Sequence, residues 1–270
     1  MIDIDKLEAS VPRSDDEYVG EDGMLHCKKC GEPLEAIFDV PMRGKRKCRF
    51  ICSCTKAKLE ASKRQDKEDE QQRKRMICFH GSKMSGCRFE TSESSELIKT
   101  GMNYVKHFQG FKKNGKGLLL YGPVGTGKSH VAACIANKLI DDGYSAYMTN
   151  FSTIANELLN TYEKQPYIDS LNRYDLLILD DLGIERKTEF MQEQVFNVID
   201  ARYRSGLPFI ITTNLKPEEL KKTTDIGNSR IYDRVLERCH PVKVAGESYR
   251  RQKLKDDFGQ IEMILKGEAL

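Results

Sequence analysis

The sequence lacks any apolar run that approaches the ~20 residues needed to cross a lipid bilayer as a helix. Residues 1–5 are acidic and lack the basic and apolar regions of a secretory signal peptide. These two absences exclude a helical membrane span and a secretion signal from the interpretation. We therefore expect a cytoplasmic protein with no membrane partner.

The chain also has little net charge. Its 44 Lys and Arg residues against 41 Asp and Glu residues leave +3, which is too small to indicate nucleic-acid binding by itself. The charges are distributed unevenly, because residues 43–49 are basic and residues 1–22 lean acidic. Residues 1–24 show no clear apolar periodicity and are expected to form an acidic arm. A length of 270 residues suffices for one ordinary domain and a small second one.

The most informative motif is GxxxxGK[ST], which residues 122–129 match. It follows a short apolar strand at 118–121 and precedes a helix-like run at 131–140, as the motif requires. Its glycines permit a tight loop whose N–H groups, with the helix N-terminus, form an anion nest. The motif predicts a loop that binds ATP or ADP, where Lys128 reaches the β- and γ-phosphates and the Ser129 hydroxyl ligates Mg²⁺. The loop residues are Gly122, Pro123, Val124, Gly125, Thr126, Gly127, Lys128 and Ser129.

Two acids follow the next long apolar run. Residues 174–183 read YDLLILDDLG, which is typical of a buried parallel strand with carboxylates at its C-terminal end. We expect Asp180 to hold Mg²⁺, directly or through water, and Asp181 to orient or deprotonate the attacking water. Asn214 ends another apolar strand at 207–214, where its side chain could hold the same water.

Cysteine is concentrated near the N-terminus, where five of the nine cysteines lie within residues 27–54. In a reducing compartment this clustering indicates a metal site rather than disulfides. The CxxCG sequence at Cys27 and Cys30 is typical of a Zn²⁺ knuckle, because its tight turn presents two thiolates on one side. A segment this short lacks a core of its own, so a metal that holds it together is expected.

The second pair of zinc ligands is open from the spacing alone. Three cysteines compete for it, at positions Cys48, Cys52 and Cys54. We favour Cys52 and Cys54, with Cys48 as the substitute and His26 as a further option. The sequence thus predicts one Zn²⁺ held by four thiolates.

Residues 55–77 differ in composition from the cysteine-rich segment before them. They are helix formers of mixed charge with almost no apolar stripe. They predict a solvated helical linker between a zinc-binding domain at 1–54 and an ATPase domain at 78–270. Such a linker cannot dock the two halves tightly, so we expect them to be separable. Cys78 and Cys87 are expected to be plain cysteines in an irregular loop.

The order of the motifs narrows the interpretation. Residues 117–251 contain, in sequence, GPVGTGKS, LLILDDLG, ITTN, SRIYDR and ESYR. This order resembles the AAA+ ATPases of the bacterial and phage helicase-loader branch, the DnaC/DnaI type with an IstB-like ATP-binding core. The CxxCG…CxC module resembles members of the same branch. The resemblance implies an α/β P-loop NTPase fold with a parallel five-stranded sheet in the order 5-1-4-3-2, preceded by a small zinc-binding domain and a helical linker.

The resemblance also implies roles for single residues. Asn214 matches sensor 1, and Arg250 matches sensor 2. Arg234 matches the arginine finger that reaches a neighbouring subunit, with Arg230 as the alternative. Asp181 stands where many AAA+ proteins have a glutamate, and because a shorter acid reaches less far, we expect slow hydrolysis.

The function that the resemblance implies is ATP-dependent loading of a hexameric replicative helicase of the DnaB type onto single-stranded DNA during replication initiation. The zinc-binding domain would contact the helicase, and the ATPase domain would bind nucleotide, single strands and other copies of itself. Two alternatives remain. One is a transposase-helper ATPase, which shares the same core, and the other is a nucleotide-gated adaptor with little turnover.

Overall fold

A computed structural model describes residues 10–41, 44–92, 95–183, 189–222, 226–246 and 248–249. They divide into two compact units, one up to Glu70 and the other from Gln71 onward. This boundary lies inside the segment that the sequence predicted as the linker. In the described part of the chain, none of the helices combines the length and the apolar character that crossing a bilayer requires.

The first unit consists of two antiparallel hairpins followed by a helix. Strand β1 (Glu17–Val19) pairs with β2 (Leu25–Cys27), and β3 (Glu35–Val40) pairs with β4 (Gly44–Arg49). Helix α1 (Ser53–Phe79) begins directly after the second hairpin and continues past the unit boundary. The basic residues between positions 44 and 49 therefore lie in strand β4.

The core of this unit is very small. It comprises Leu25, Cys27, Leu34 and Cys52. The segment expected to form an acidic arm, residues 1–24, contains strand β1 (Glu17–Val19), which the sequence did not indicate. A three-residue strand is too short to show periodicity, and Glu17 gains an ion pair with Arg49 that the sequence does not reveal.

The second unit is built on five parallel strands. They are β5 (Gly117–Tyr121), β6 (Ala146–Asn150), β7 (Leu176–Leu182), β8 (Phe209–Thr213) and β9 (Cys239–Lys243). The order across the sheet is β6-β7-β8-β5-β9. If these five strands are numbered 1 to 5 along the chain and the sheet is read from the β9 edge, the order is 5-1-4-3-2, which confirms the predicted topology.

Helices cover both faces of this sheet. They are α2 (Glu96–Lys106), α3 (Phe108–Asn114), α4 (Lys128–Asp141), α5 (Phe151–Asn160), α6 (Lys164–Leu171), α7 (Glu189–Ser205), α8 (Pro217–Lys221) and α9 (Ile226–Arg238). Leu118 and Leu120 face a core with α2 and α4, whereas Leu119 faces a second core with α5, α7 and α9. The continuous apolar runs in the strands follow from burial on both faces.

The last turns of α1 belong to the second unit. The Gln71 side chain donates to the Asp141 carbonyl, and Arg75 pairs with the Asp141 carboxylate at the end of α4. Cys78 and Phe79 are buried in the core beside α4. The expectation of an irregular loop at Cys78 is therefore wrong, because Cys78 lies at the buried end of α1. The predicted linker is helical and none of its residues is buried, but its last turns contact α4.

Candidate nucleotide site and metal centre

The predicted phosphate-binding loop connects β5 to α4. Gly122 has φ 149°, and a Cβ there would lie 2.1 Å from the Val244 carbonyl oxygen. Gly125 has φ 85°, and a Cβ there would lie 2.1 Å from Ser248 Oγ. Both positions therefore require glycine, for backbone conformation and for space. The loop leads into the first turn of α4, whose free N–H groups favour an anion.

Lys128 connects the loop to Asn214, the residue that follows strand β8. Its ammonium donates to the carbonyl oxygens of Gly122 (2.8 Å) and Pro123 (2.7 Å) and to Asn214 Oδ1 (2.9 Å). Only 5% of Lys128 is exposed. The structure thus brings Lys128 and Asn214 into direct contact, although 86 positions separate them in the sequence.

Ser129 and Asp180 also meet. The Ser129 hydroxyl donates to Asp180 Oδ1 at 2.8 Å, which joins the start of α4 to the end of β7. A hydroxyl and a carboxylate are oxygen ligands of the kind that Mg²⁺ takes, usually together with phosphate oxygens. The two side chains are suited to hold this ion beside the phosphate-binding loop.

Asp181 follows in an unusual backbone conformation. Its φ is 60°, which is uncommon for a residue other than glycine, and its side chain is exposed. It lines the same cavity as the phosphate-binding loop and Asn214. The carboxylate of Asp181 therefore borders the same cavity as the loop that the sequence predicts to bind phosphate.

The cavity at this site measures about 600 Å³, which is in the range of small-molecule sites. Met84, Leu97 and Ile98 supply an apolar wall. Beside them, His130 Nε2 lies 2.7 Å from Ser92 Oγ, and burial lowers the pKa of His130. The loop thus forms one end of a cavity that also offers apolar surface for a base.

The two arginines proposed as fingers differ in their surroundings. Arg234 Nη2 pairs with Asp200 Oδ1 at 2.8 Å, and its guanidinium lies 4.8 Å from the centre of the Phe196 ring. Arg230, one turn earlier in α9, is exposed. Neither residue is among the described residues that line the cavity. Arg250 lies outside the described residues.

Sequence reasoning missed several residues of this site. Ser92 and His130 occupy no position of a recognised motif and lie on elements that meet only in the fold, whereas Thr212 lies inside the ITTN motif but was assigned no role. For Thr212 a signal was available. It stands two residues before Asn214, and this spacing places side chains on the same face of a strand.

Four cysteines of the first unit converge. They are Cys27, Cys30, Cys52 and Cys54, whose sulfur atoms all lie within 4.8 Å of one another. Among the described residues, this is the one group of three or more potential metal ligands of this kind. Cys48 is exposed on β4 and is not part of the group, and the His26 ring is hydrogen-bonded to Asp22 and to the Gly31 carbonyl.

The crowded sulfurs suit a cation. The Thr55 hydroxyl lies 3.2 Å from the Cys52 sulfur and lowers the pKa of Cys52 to about 6, whereas the Cys52 sulfur raises the pKa of Cys54. The thiolate is the form that binds metal, and several thiolates this close repel one another unless a cation lies between them. Four sulfur ligands around one point fit tetrahedral Zn²⁺.

Comparisons with known proteins agree with the fold and the loop. A family model described as IstB-like ATP binding protein matches residues 59–256. The replicative helicase loader DnaI of Bacillus subtilis (strain 168) is 28% identical over 204 residues, which cover 68% of this chain and 65% of DnaI. The replicative helicase loader DnaC of Escherichia coli (strain K12) is 26% identical over 153 residues, which cover 55% of this chain and 60% of DnaC.

A further relative comes from a mobile element. A putative insertion sequence ATP-binding protein of Sinorhizobium fredii is 32% identical over 143 residues, which cover 51% of this chain and 48% of that protein. The chain spans less than two thirds of the length of each of these three relatives.

Solved structures show the same fold. The crystal structure of DnaI superposes with a TM-score of 0.54 at 21% identity, over 65% of this chain and 98% of that one. The crystal structure of the DnaC helicase loader superposes with a TM-score of 0.51 at 21% identity, over 61% of this chain and 100% of that one. The resemblance inferred from the order of the motifs is confirmed, since the family model covers well over half of the sequence. The chain belongs to the family of IstB-like ATP-binding proteins, with the α/β fold of the helicase loaders DnaI and DnaC.

Proposed function

We propose that this protein is a slow, Mg²⁺-dependent ATPase that loads a hexameric helicase of the DnaB type onto single-stranded DNA. The observation that carries the ATPase part is the convergence of the loop, Lys128, Asp181 and Asn214 at one end of a cavity of about 600 Å³. Asp180 joins this site through its hydrogen bond from Ser129. This arrangement offers a cationic phosphate contact, a pair of oxygen ligands for a metal and an acid facing the attack position.

The residues suit hydrolysis of the terminal phosphate. The loop N–H groups and Lys128 would hold the phosphates, while Ser129 and Asp180 would hold Mg²⁺, which neutralises the charge on the phosphate oxygens. A water oriented by Asn214 and Asp181 would attack the γ-phosphorus, the bond to the β–γ bridging oxygen would break, and ADP would leave. Asp181 would receive the proton of the water or pass it to the phosphate.

The loader part of the proposal is supported by the relatives and by the first unit. Two curated relatives are named replicative helicase loaders. Exposed large apolar side chains are frequent in the small first unit: Val11, Tyr18, Val19, Ile37, Phe38, Phe50, Ile51 and Leu59. Such a surface on a small unit is typical of a protein contact. We assign the helicase contact to this unit and its stability to Zn²⁺ on the four cysteines.

We expect Phe38→Ser in the full chain to weaken capture of a DnaB-type hexamer by roughly tenfold, because an aromatic anchor at an interface is worth more than 1 kcal/mol. The matched control is Met102→Ser, since Phe38 in the first unit and Met102 in the second are both 53% exposed. Pull-down on immobilised helicase measures the effect. Capture that depends on Met102 and not on Phe38 would move the contact to the ATPase unit.

The second candidate function is a transposase helper, which the relative from the insertion sequence favours. In the same pull-down, capture by a transposase and not by the helicase would support it. Nucleotide binding without hydrolysis, with and without single-stranded DNA, would support an adaptor instead. Because the net charge of the chain is only +3, binding of a single strand to the ATPase unit would depend on local Lys and Arg contacts to phosphates and should therefore weaken steeply with salt.

An arginine that acts on a neighbouring subunit must be able to leave its own. Arg230 is exposed, whereas Arg234 is held by Asp200 and by the Phe196 ring. We therefore expect Arg234→Ala to lower the free energy of unfolding by about 1 kcal/mol through lost ion-pair and cation–π contacts. Arg230→Ala should leave stability and nucleotide affinity unchanged and reduce turnover in the assembled form.

Thermal melts, nucleotide titrations and ATPase rates on the two variants, side by side, decide between the arginines. If Arg234→Ala retains the wild-type melting temperature and nucleotide affinity but loses turnover, Arg234 is the finger, as the order of the motifs first indicated. Wild-type turnover in both variants would contradict a finger on α9.

A further inference from the structure

The last residues of β7 are out of register with β8. Leu179 pairs with Ile211, and Leu182 pairs with Thr213, so two residues of β7 stand where β8 has one. These two residues are Asp180 and Asp181, and the single residue opposite is Thr212. A β-bulge of this kind re-aims side chains and leaves one backbone N–H outside the ladder.

The Thr212 hydroxyl contacts both acids. It donates to Asp180 Oδ1 at 2.5 Å and accepts the backbone N–H of Asp181 at 2.9 Å. Thr212 is fully buried. A hydroxyl has one hydrogen, and giving it to Asp180 leaves the oxygen lone pairs toward Asp181, so both bonds form without conflict.

For Asp181, the bond to Thr212 offsets two local costs. The φ of 60° places a non-glycine residue in the left-handed region, which costs of order 1 kcal/mol or more. Its N–H would otherwise be left without a ladder partner in the bulge. Thr212 satisfies this N–H and thereby holds the backbone in the conformation that directs Asp181 into the cavity.

For Asp180, Thr212 fixes one carboxylate oxygen. Oδ1 receives the hydroxyls of both Thr212 and Ser129, which come from opposite sides of the site. Two donors on one oxygen restrict rotation of the carboxylate. Groups that hold a metal ligand in this way commonly affect metal affinity as strongly as some ligands do.

We propose that Thr212 is a positioning residue, which sets Asp180 for Mg²⁺ and Asp181 for the attacking water at the same time. The inference rests on the proposed function of the site as one for Mg²⁺ and ATP. Since Asn214, two residues further along, contacts Lys128, the end of β8 holds the phosphate-binding lysine and both acids. Movement of this strand end would therefore shift Lys128, Asp180 and Asp181 together.

Thr212→Val is the decisive variant, because valine keeps the shape and β-branching of threonine and removes only the hydroxyl. Thr212→Ser keeps the hydroxyl and is the rescue. Thr213→Val is the matched control, since Thr213 is equally buried and its hydroxyl also makes two bonds, to the Leu182 carbonyl (2.7 Å) and from the Leu215 N–H (3.1 Å).

The readout is the affinity of the full chain for a fluorescent non-hydrolysable ATP analogue with and without Mg²⁺, together with the melting temperature. Mg²⁺ raises the affinity of the wild type for the analogue by some factor, and we expect this factor to be roughly 10- to 100-fold smaller in Thr212→Val. Thr212→Ser should recover most of this gain. Thr213→Val should lower the melting temperature about as much as Thr212→Val and keep the wild-type gain from Mg²⁺.

Two results would overturn the positioning role of Thr212 without contradicting the proposed function of the site. One is a wild-type gain from Mg²⁺ in Thr212→Val, and the other is an equal loss in Thr213→Val, which would indicate a general effect of destabilising β8. A wild-type protein that binds no nucleotide, or that gains nothing from Mg²⁺, contradicts the proposed function itself. The two failures are therefore distinguishable.

Discussion

Lys128→Ala is expected to lower the affinity for ATP by roughly 100-fold or more, and the affinity for ADP, which lacks the γ-phosphate, by less. Each hydrogen bond from a charged donor to phosphate is worth roughly 1.5–3 kcal/mol, and the ammonium can reach two phosphates. Only 5% of Lys128 is exposed, and its ammonium donates to two loop carbonyls and to Asn214. Alanine therefore removes a phosphate contact and also a connection that holds the loop in shape.

Titration with a fluorescent non-hydrolysable ATP analogue measures this effect, and a melting curve shows whether the variant is folded. Lys138→Ala is the matched control, because Lys138 lies on the same helix and forms an exposed ion pair with Asp142 at 3.1 Å. It should bind nucleotide like the wild type. A folded Lys128→Ala protein with wild-type affinity would contradict the assignment of residues 122–129 as the phosphate-binding loop.

The ATPase fold could be predicted because its signals are local. Two motifs of about ten residues each predict their own local structure. One is a glycine-rich loop between a strand and a helix, and the other is an apolar strand that ends in Asp180 and Asp181. The order of the motifs then fixed the sheet. Elements without such signals were missed, among them α6, α8 and the hairpin β3–β4, whose sequences show neither a long stripe nor a recognised turn.

The finer geometry of the site could not be predicted, since it depends on distant pairs. The sequence gives no indication that β7 has an extra residue opposite Thr212, because a bulge is a relation between two strands. Likewise, the pairing of Arg234 with Asp200 joins α9 to α7. A motif match therefore pointed to Arg234 as the finger without revealing what holds its side chain.

The cysteines also show that sequence spacing alone does not determine which side chains meet in the fold. The spacing predicted four ligands and left Cys48 in competition with Cys54. The course of the chain decides which sulfurs meet, because Cys48 lies on β4, whereas Cys52 and Cys54 lie at the start of α1 beside Cys27. The identity of the metal stays a prediction.

Cys27→Ser is expected to reduce the zinc content from one per chain to about zero and to unfold the first unit. A core of only four buried residues, two of them cysteines of the cluster, cannot hold this unit without the metal. In units of this size the free energy of zinc binding is the free energy of folding. Metal analysis of protein purified under reducing conditions without chelator measures the content, and limited proteolysis measures the loss of structure.

Cys48→Ser is the matched control, because Cys48 belongs to the same unit but is exposed and outside the cluster. It should retain one zinc per chain and resist protease like the wild type. The phosphate-binding loop belongs to the second compact unit, so Cys27→Ser should still bind nucleotide while losing capture by the helicase. Loss of zinc in Cys48→Ser would move the fourth ligand to that position, and wild-type protein without zinc would exclude the metal centre.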